Sequence, residues 1–235
     1  MRKGSIASVA QFLLIAACAT AEVGDVPTLD AILGRMEHAR VENRARFRPY
    51  QVTREYRLFG KEKQKPKSEV IAAVTFVPPN SKKYVIQQSK GAAALGERIV
   101  RQMLDGEAEA VKHFAATDIS AANYDFRFVR EDSLNGRRCY VLDQIPKRKD
   151  KHLLHGAIWV DAKTYMLHRF TGEPSQAPSW WLRGARIEFN YGDVDGMWLQ
   201  TGSESSANVR IFGLYTMTSR DVEYHIGAPG AQAEF

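Results

Sequence analysis

The chain has 235 residues, with 33 Lys and Arg against 27 Asp and Glu, and this formal charge of +6 is too mild and too scattered for a dedicated nucleic-acid binder. Apolar residues make up 44% and charged residues 26%, the balance of a folded globular domain rather than a disordered chain. Only Cys18 and Cys139 are present, which excludes a disulfide framework.

The first element is an export signal. Arg2 and Lys3 precede an apolar run from Ile6 to Ala17, which is interrupted only by Ser8 and Gln11 and is too short to span a bilayer as a stable helix. Two cleavage sites overlap. Ile15-Ala16-Ala17-Cys18 has the order of a bacterial lipobox, in which Cys18 is lipidated and anchors the mature chain, whereas Ala19-Thr20-Ala21 is an ordinary small-x-small site. Residues 1–21 are therefore expected to be a signal peptide and 22–235 a single domain, long enough to bury its own core. Without Arg2 and Lys3 the charge falls to about +4.

From Thr28 to Arg46 the apolar residues Leu29, Ile32, Leu33, Met36 and Ala39 recur at helical spacing, with Thr28 placed to cap and Pro49 closing the stretch. Strand-like segments follow at Tyr50 to Phe59, Glu69 to Val77 and Lys83 to Gln88, divided by a Lys-rich turn and by Pro78-Pro79-Asn80-Ser81. Ala92 to Phe114 returns to helical spacing through Leu95, Ile99, Met103 or Leu104, Val111 and Phe114, with Gly106 placed to break or kink it. Beyond Asn123 the chain reads as a meander of short antiparallel strands. Tyr124, Phe126 and Phe128 alternate; Asn135-Gly136 signals a tight hairpin; Arg138 to Ile145 runs back. Further strands are expected at Ala157 to Asp161, Tyr165 to Phe170, Ala185 to Tyr191, Met197 to Ser203, Asn208 to Thr218 and Asp221 to His225.

Reactive constellations are missing from this pattern. His152 and His155 lack the acid of a metalloprotease helix, and His168 and His225 lie in strand-like runs. Ser205 and Ser206 have no Gly-x-Ser-x-Gly elbow around them, and nothing fixes the separation of Glu188 and Asp193. Cys139, within Arg138-Cys139-Tyr140-Val141-Leu142, reads as a buried structural thiol. The basic clusters at Arg44 to Arg48, Lys61 to Lys67 and Lys147 to Lys151 read as solvated loops or helix ends. No catalytic residue, metal ligand set, cofactor or nucleic-acid partner is expected. Trp180 and Trp181 would point to opposite faces of a strand, so one of them would be free to be exposed.

The run IWVDAKTYMLHRFTGE, followed by ARIEFNYGDVDGMWLQT, resembles the LolA-like group of periplasmic lipoprotein-sorting and lipid-carrier proteins. The likeness lies in Trp159-Val160-Asp161 at a strand end, Arg169 in the next strand, the alternation Ile187, Phe189, Tyr191, and Gly196 before the following strand; it is best over Tyr124 to Ile226. It implies an α+β fold: a strongly curved antiparallel sheet, an incomplete β-barrel, with helices covering its concave face around an apolar cavity for acyl chains.

On that implication the cavity would be lined by Leu33, Met36, Val74, Phe76, Ile99, Met103, Phe126, Trp159, Leu167, Ile187 and Phe189. The function expected is then that of a non-enzymatic periplasmic protein that binds acyl chains of lipids or lipoproteins, in outer-membrane lipoprotein sorting. Cys18 offers an anchor at the outer membrane. The alternative is a structural or regulatory protein-interaction domain of the envelope, with an envelope protein as partner.

Overall fold

The computed structural model describes residues 26–62, 64–176, 182–210 and 213–227. The signal segment with Cys18, and the pair Trp180 and Trp181, lie outside the described residues. Helix α1 spans Leu29–Ala45 and begins where the sequence places it: Thr28 Oγ1 accepts the Ala31 N–H at 3.3 Å, and Asp30 sits in the first turn. Strands β1 (Tyr50–Phe59), β2 (Ser68–Val77) and β3 (Ser81–Gly91) follow, then α2 (Ala93–Lys112) and the short α3 (Phe114–Thr117). Gly106 leaves α2 unbroken, because the rest of the helix supplies good helix formers.

The remaining strands are β4 (Tyr124–Leu134), β5 (Arg137–Pro146), β6 (Leu154–Asp161), β7 (Leu167–Pro174), β8 (Leu182–Val194), β9 (Met197–Val209) and β10 (Gly213–Ile226). Asn135 and Gly136 take φ of 52° and 76°, the left-handed pair that a tight hairpin between β4 and β5 requires. Several expected boundaries move; the strand expected from Tyr165, for instance, begins at Leu167. Asn208 belongs to β9 rather than to the next strand, and Asp221 to His225 continue β10 instead of starting afresh. The run Ser205-Ser206-Ala207-Asn208 has too little apolar alternation to show the strand that it continues.

All ten strands form one antiparallel sheet in the order β3-β2-β1-β10-β9-β8-β7-β6-β5-β4. The first strand pairs with the last, β1 with β10, inside the sheet, and β3 and β4 are its two edges among the described strands. This corrects the expected incomplete barrel: the sheet is open and is not strongly curled. The physical reason is the way the interior is filled. Directly paired residues share a face, so the row Phe189, Ser203, Ser219, Tyr56 runs across one side, and both long helices pack on that side over separate cores. Val100 and Leu104 of α2 close a core with Val52, Tyr56, Leu58, Val70 and Val74, whereas Ile32 of α1 closes another with Tyr140, Leu142, Ile158, Val160 and Phe170. With each helix satisfied by its own half of the sheet, no shared interior remains for the strands to curl around.

Candidate functional site

The residues expected to line one cavity divide between the two cores. Val74, Phe76, Ile99 and Met103 belong to the α2 core, and Leu33, Met36, Phe126, Leu167, Ile187 and Phe189 belong to the α1 core. Between them lie Ser203 and Ser219, buried and hydrogen-bonded Oγ to Oγ at 2.7 Å. Trp159 joins neither core. Ile158 and Val160 turn toward α1, and Trp159 occupies the opposite face, where its Nε1–H donates to Asp132 Oδ2 at 3.1 Å and the Arg169 guanidinium lies 5.5 Å from its ring centre. The half-barrel for acyl chains is thereby overturned: side chains fill the helix-covered face as two cores, with a polar seam between them.

The seam has a charged counterpart in the α2 half. Arg54 stands at an inward position of β1 between Val52 and Tyr56, with its side chain 5% exposed, and donates through Nε to Asp221 Oδ1 at 2.5 Å. Its Nη1 donates to Glu107 of α2 at 3.1 Å; Lys82 Nζ of β3 donates to the same carboxylate at 2.7 Å; Tyr224 Oη donates to Asp221 at 2.6 Å. Two cations and two anions thus link β1, β3, β10 and α2. Burial raises the Glu107 pKa, but Lys82 and Arg54 more than offset this and bring it down to about 2. Burial pushes the Tyr50 and Tyr56 phenols well above their ordinary value, with Arg54 acting in the opposite direction. Every charge here is matched, so the cluster clamps α2 to the sheet and leaves no unpaired charge for a substrate.

On the strands α1 is held by neutral groups, while its Arg40 forms an ion pair at 2.6 Å with Asp118, which follows α3. Asn43 imitates a strand partner: its Nδ2–H donates to Trp198 O at 2.9 Å and its Oδ1 accepts the Trp198 N–H at 2.7 Å. Trp198 Nε1–H donates to Leu167 O, and the Trp198 ring meets His168 edge-on at 4.6 Å. His168 Nε2 is buried without a hydrogen bond, 3.6 Å from Asp161 Oδ2. Burial lowers the His168 pKa, and the Asp161 carboxylate acts against that.

Among the described residues no group of three or more His, Cys, Asp or Glu is placed to hold a metal ion. His155 lies on the surface beside Asp143, and Cys139 is buried, with burial raising its pKa. What remains open is the other side of the sheet. Beside edge β3 a depression of about 160 Å³ is lined by Glu55, Tyr56, Arg57, Glu69, Val70, Ile71, Gln88 and Lys90, so its rim is charged. At the far edge, Phe128 and Val129 of β4 are exposed next to a bulge. Sequence reasoning missed the clamp, yet a signal was there: in YQVTREYRL the alternation puts Arg54 where an apolar residue belongs.

The sequence matches no family model, and no curated protein matches it significantly. Among solved structures, a domain described as an outer-membrane lipoprotein-sorting protein of Vibrio parahaemolyticus is 15% identical, with TM-score 0.46, covering 83% of this chain and 93% of that one. A DUF1329 family protein of Desulfovibrio piger is 12% identical, with TM-score 0.44 and coverage of 88% and 96%. A LolA superfamily protein of Nitrosomonas europaea is 10% identical, with TM-score 0.40 and coverage of 87% and 96%. Superpositions this loose assign neither a family nor a function to the chain.

Proposed function

We propose that the chain is a non-enzymatic protein-interaction domain of the bacterial cell envelope, exported by residues 1–21 and retained in the periplasm or, through a lipid on Cys18, at the outer membrane. The observation that carries this reading is the asymmetry of the sheet: its helix-covered face is spent on two filled cores, while the opposite face and both edge strands are left for a partner. The matched charges of the Arg54 clamp support a structural scaffold rather than bond-making chemistry.

The test is native purification from envelopes after mild in-cell cross-linking, followed by solvent extraction and intact mass. The expected result is a defined cross-linked envelope protein and no stoichiometric acyl lipid. Acyl lipid extracted at about one equivalent per chain, without a protein partner, would reverse the reading. The same mass separates diacylglyceryl-Cys18 from a free terminus after Ala21.

A further inference from the structure

We propose that the outer edge of β3 receives an extended, acidic segment of the partner protein as an additional strand. This rests on the interaction-domain reading and specifies where, and with what chemistry, the domain acts. β3 is the end of the sheet: one side of its backbone pairs with β2, and no described strand pairs with the other. Its helix-side residues are braced. Tyr84 Oη donates to Asp105 at 2.7 Å, Ser89 Oγ to Glu97 at 2.7 Å, and Lys82 belongs to the clamp with Glu107. A strand fixed by α2 in this way is preorganised, so an incoming segment need not order it.

On the helix-free side β3 presents Lys83, Val85, Gln88 and Lys90, all exposed, with Val85 at 65%. Neither Lys83 nor Lys90 has a carboxylate within ion-pair distance among the described residues. Glu69, paired with Lys90 across the ladder, lies 3.6 Å from Arg57 instead. Two unpaired cations therefore flank an exposed apolar side chain, with the charged-rim depression beside them on β1 and β2. An added strand sets every second side chain on this face, so the geometry selects an apolar residue beside Val85 with acidic residues on either side of it.

A second copy of β3 fits poorly. Antiparallel pairing about the strand centre would set Lys83 against Lys90, and lysines on an edge oppose self-association. The β4 edge has the wrong chemistry, because Arg130 is paired with Asp132 and Glu131 is paired with Arg138.

The experiment is selection of short random peptides, displayed on phage, against the full chain and against a Lys83→Glu, Lys90→Glu double variant. Both lysines are exposed, and an unchanged circular dichroism spectrum confirms that the variant folds. The expected peptides carry an acidic residue about two positions to one side of an apolar one, opposite Lys83, and another about four positions to the other side, opposite Lys90. A labelled synthetic copy should lose about tenfold in affinity on the double variant, as two surface ion pairs allow, and should weaken with added salt. Bound peptide should protect amides of Ser81–Gly91 from hydrogen exchange, and selection on the variant should turn toward basic peptides. Selected peptides without acidic residues, no enrichment at all, or protection on β4 or the centre of the sheet would overturn the edge proposal while leaving the interaction-domain reading in place. That reading fails separately, if acyl lipid is the stoichiometric companion of the chain.

Discussion

The two halves of the sheet solve the same problem with different forces. In each, a helix covers antiparallel strands, but α2 is fastened to them through the ion cluster of Arg54, Glu107, Lys82 and Asp221, of which Arg54 and Asp221 are buried, whereas α1 is fastened to its strands by apolar packing and the neutral amide of Asn43, its ion pair from Arg40 reaching Asp118 outside the sheet. The charged fastening is directional and unforgiving, since each ion depends on the others after leaving water. The apolar one is spread over many contacts and tolerates loss more gradually. A two-core scaffold of this kind keeps its helices in place, where a carrier would need helices that part from the sheet to admit cargo.

The largest expected effect separates the halves most clearly. Arg54→Ala leaves the buried Asp221 carboxylate without its arginine and takes from Glu107 one of its two cations, and should cost about 3–5 kcal/mol in urea unfolding, with α2 amides the first to lose protection. Replacing all four charges together by apolar residues of similar size should cost less than that single change, because the burial penalty disappears along with the attraction. A cost below about 1 kcal/mol for Arg54→Ala would mean that the clamp is solvated.

In the other half, Ile158→Ala removes a fully buried side chain under α1 and should cost about 3 kcal/mol, read by the same unfolding experiment. Asn43→Ala strips the Trp198 N–H and C=O of their side-chain partner and should cost about 2 kcal/mol, with exchange rising at the C-terminal end of α1.

The smallest effect is a difference in acid response. The folded-state pKa of Glu107 lies below its ordinary value of 4.5, so the stability it contributes is complete above 4.5 and is lost as the pH falls toward about 2. His168 acts earlier. Its folded-state pKa lies below 6.5, the fold favours the neutral ring, and the stability present above 6.5 declines as the pH falls beneath it. Thermal melts across this range should therefore soften the α1 half first. His168→Gln should flatten the loss just below pH 6.5 and leave the loss below pH 4.5 unchanged.

Much of the local structure could be read directly from the chain. The Thr28 cap, the alternation in YQVTREYRL and the Asn135-Gly136 turn each encode a local conformation, and each forms where the residues place it. Closure of the sheet was not legible, because period-two alternation says which residues share a face but not how far the sheet curls or whether its edges meet. Trp159 shows the same limit from the other side: its strand was evident, but the sequence did not show which side α1 would occupy, and the tryptophan faces away from that helix. Lys83 and Val85 were visible only as part of a strand and Lys90 lay beyond its expected end at Gln88; their place on the rim comes from β3 lying at the end of the sheet, a property of the whole topology.

The most direct measurement of the central claim, that the helix-covered face is closed into two cores, is saturation binding of a fluorescent fatty acid to the folded full chain. The expected result is a weak, non-saturating signal that Phe189→Asp does not diminish except through loss of folding, because Phe189 packs against Phe170 in a filled core. Saturable binding near one equivalent, displaced by unlabelled fatty acid and abolished by Phe189→Asp in a chain that still folds, would contradict it.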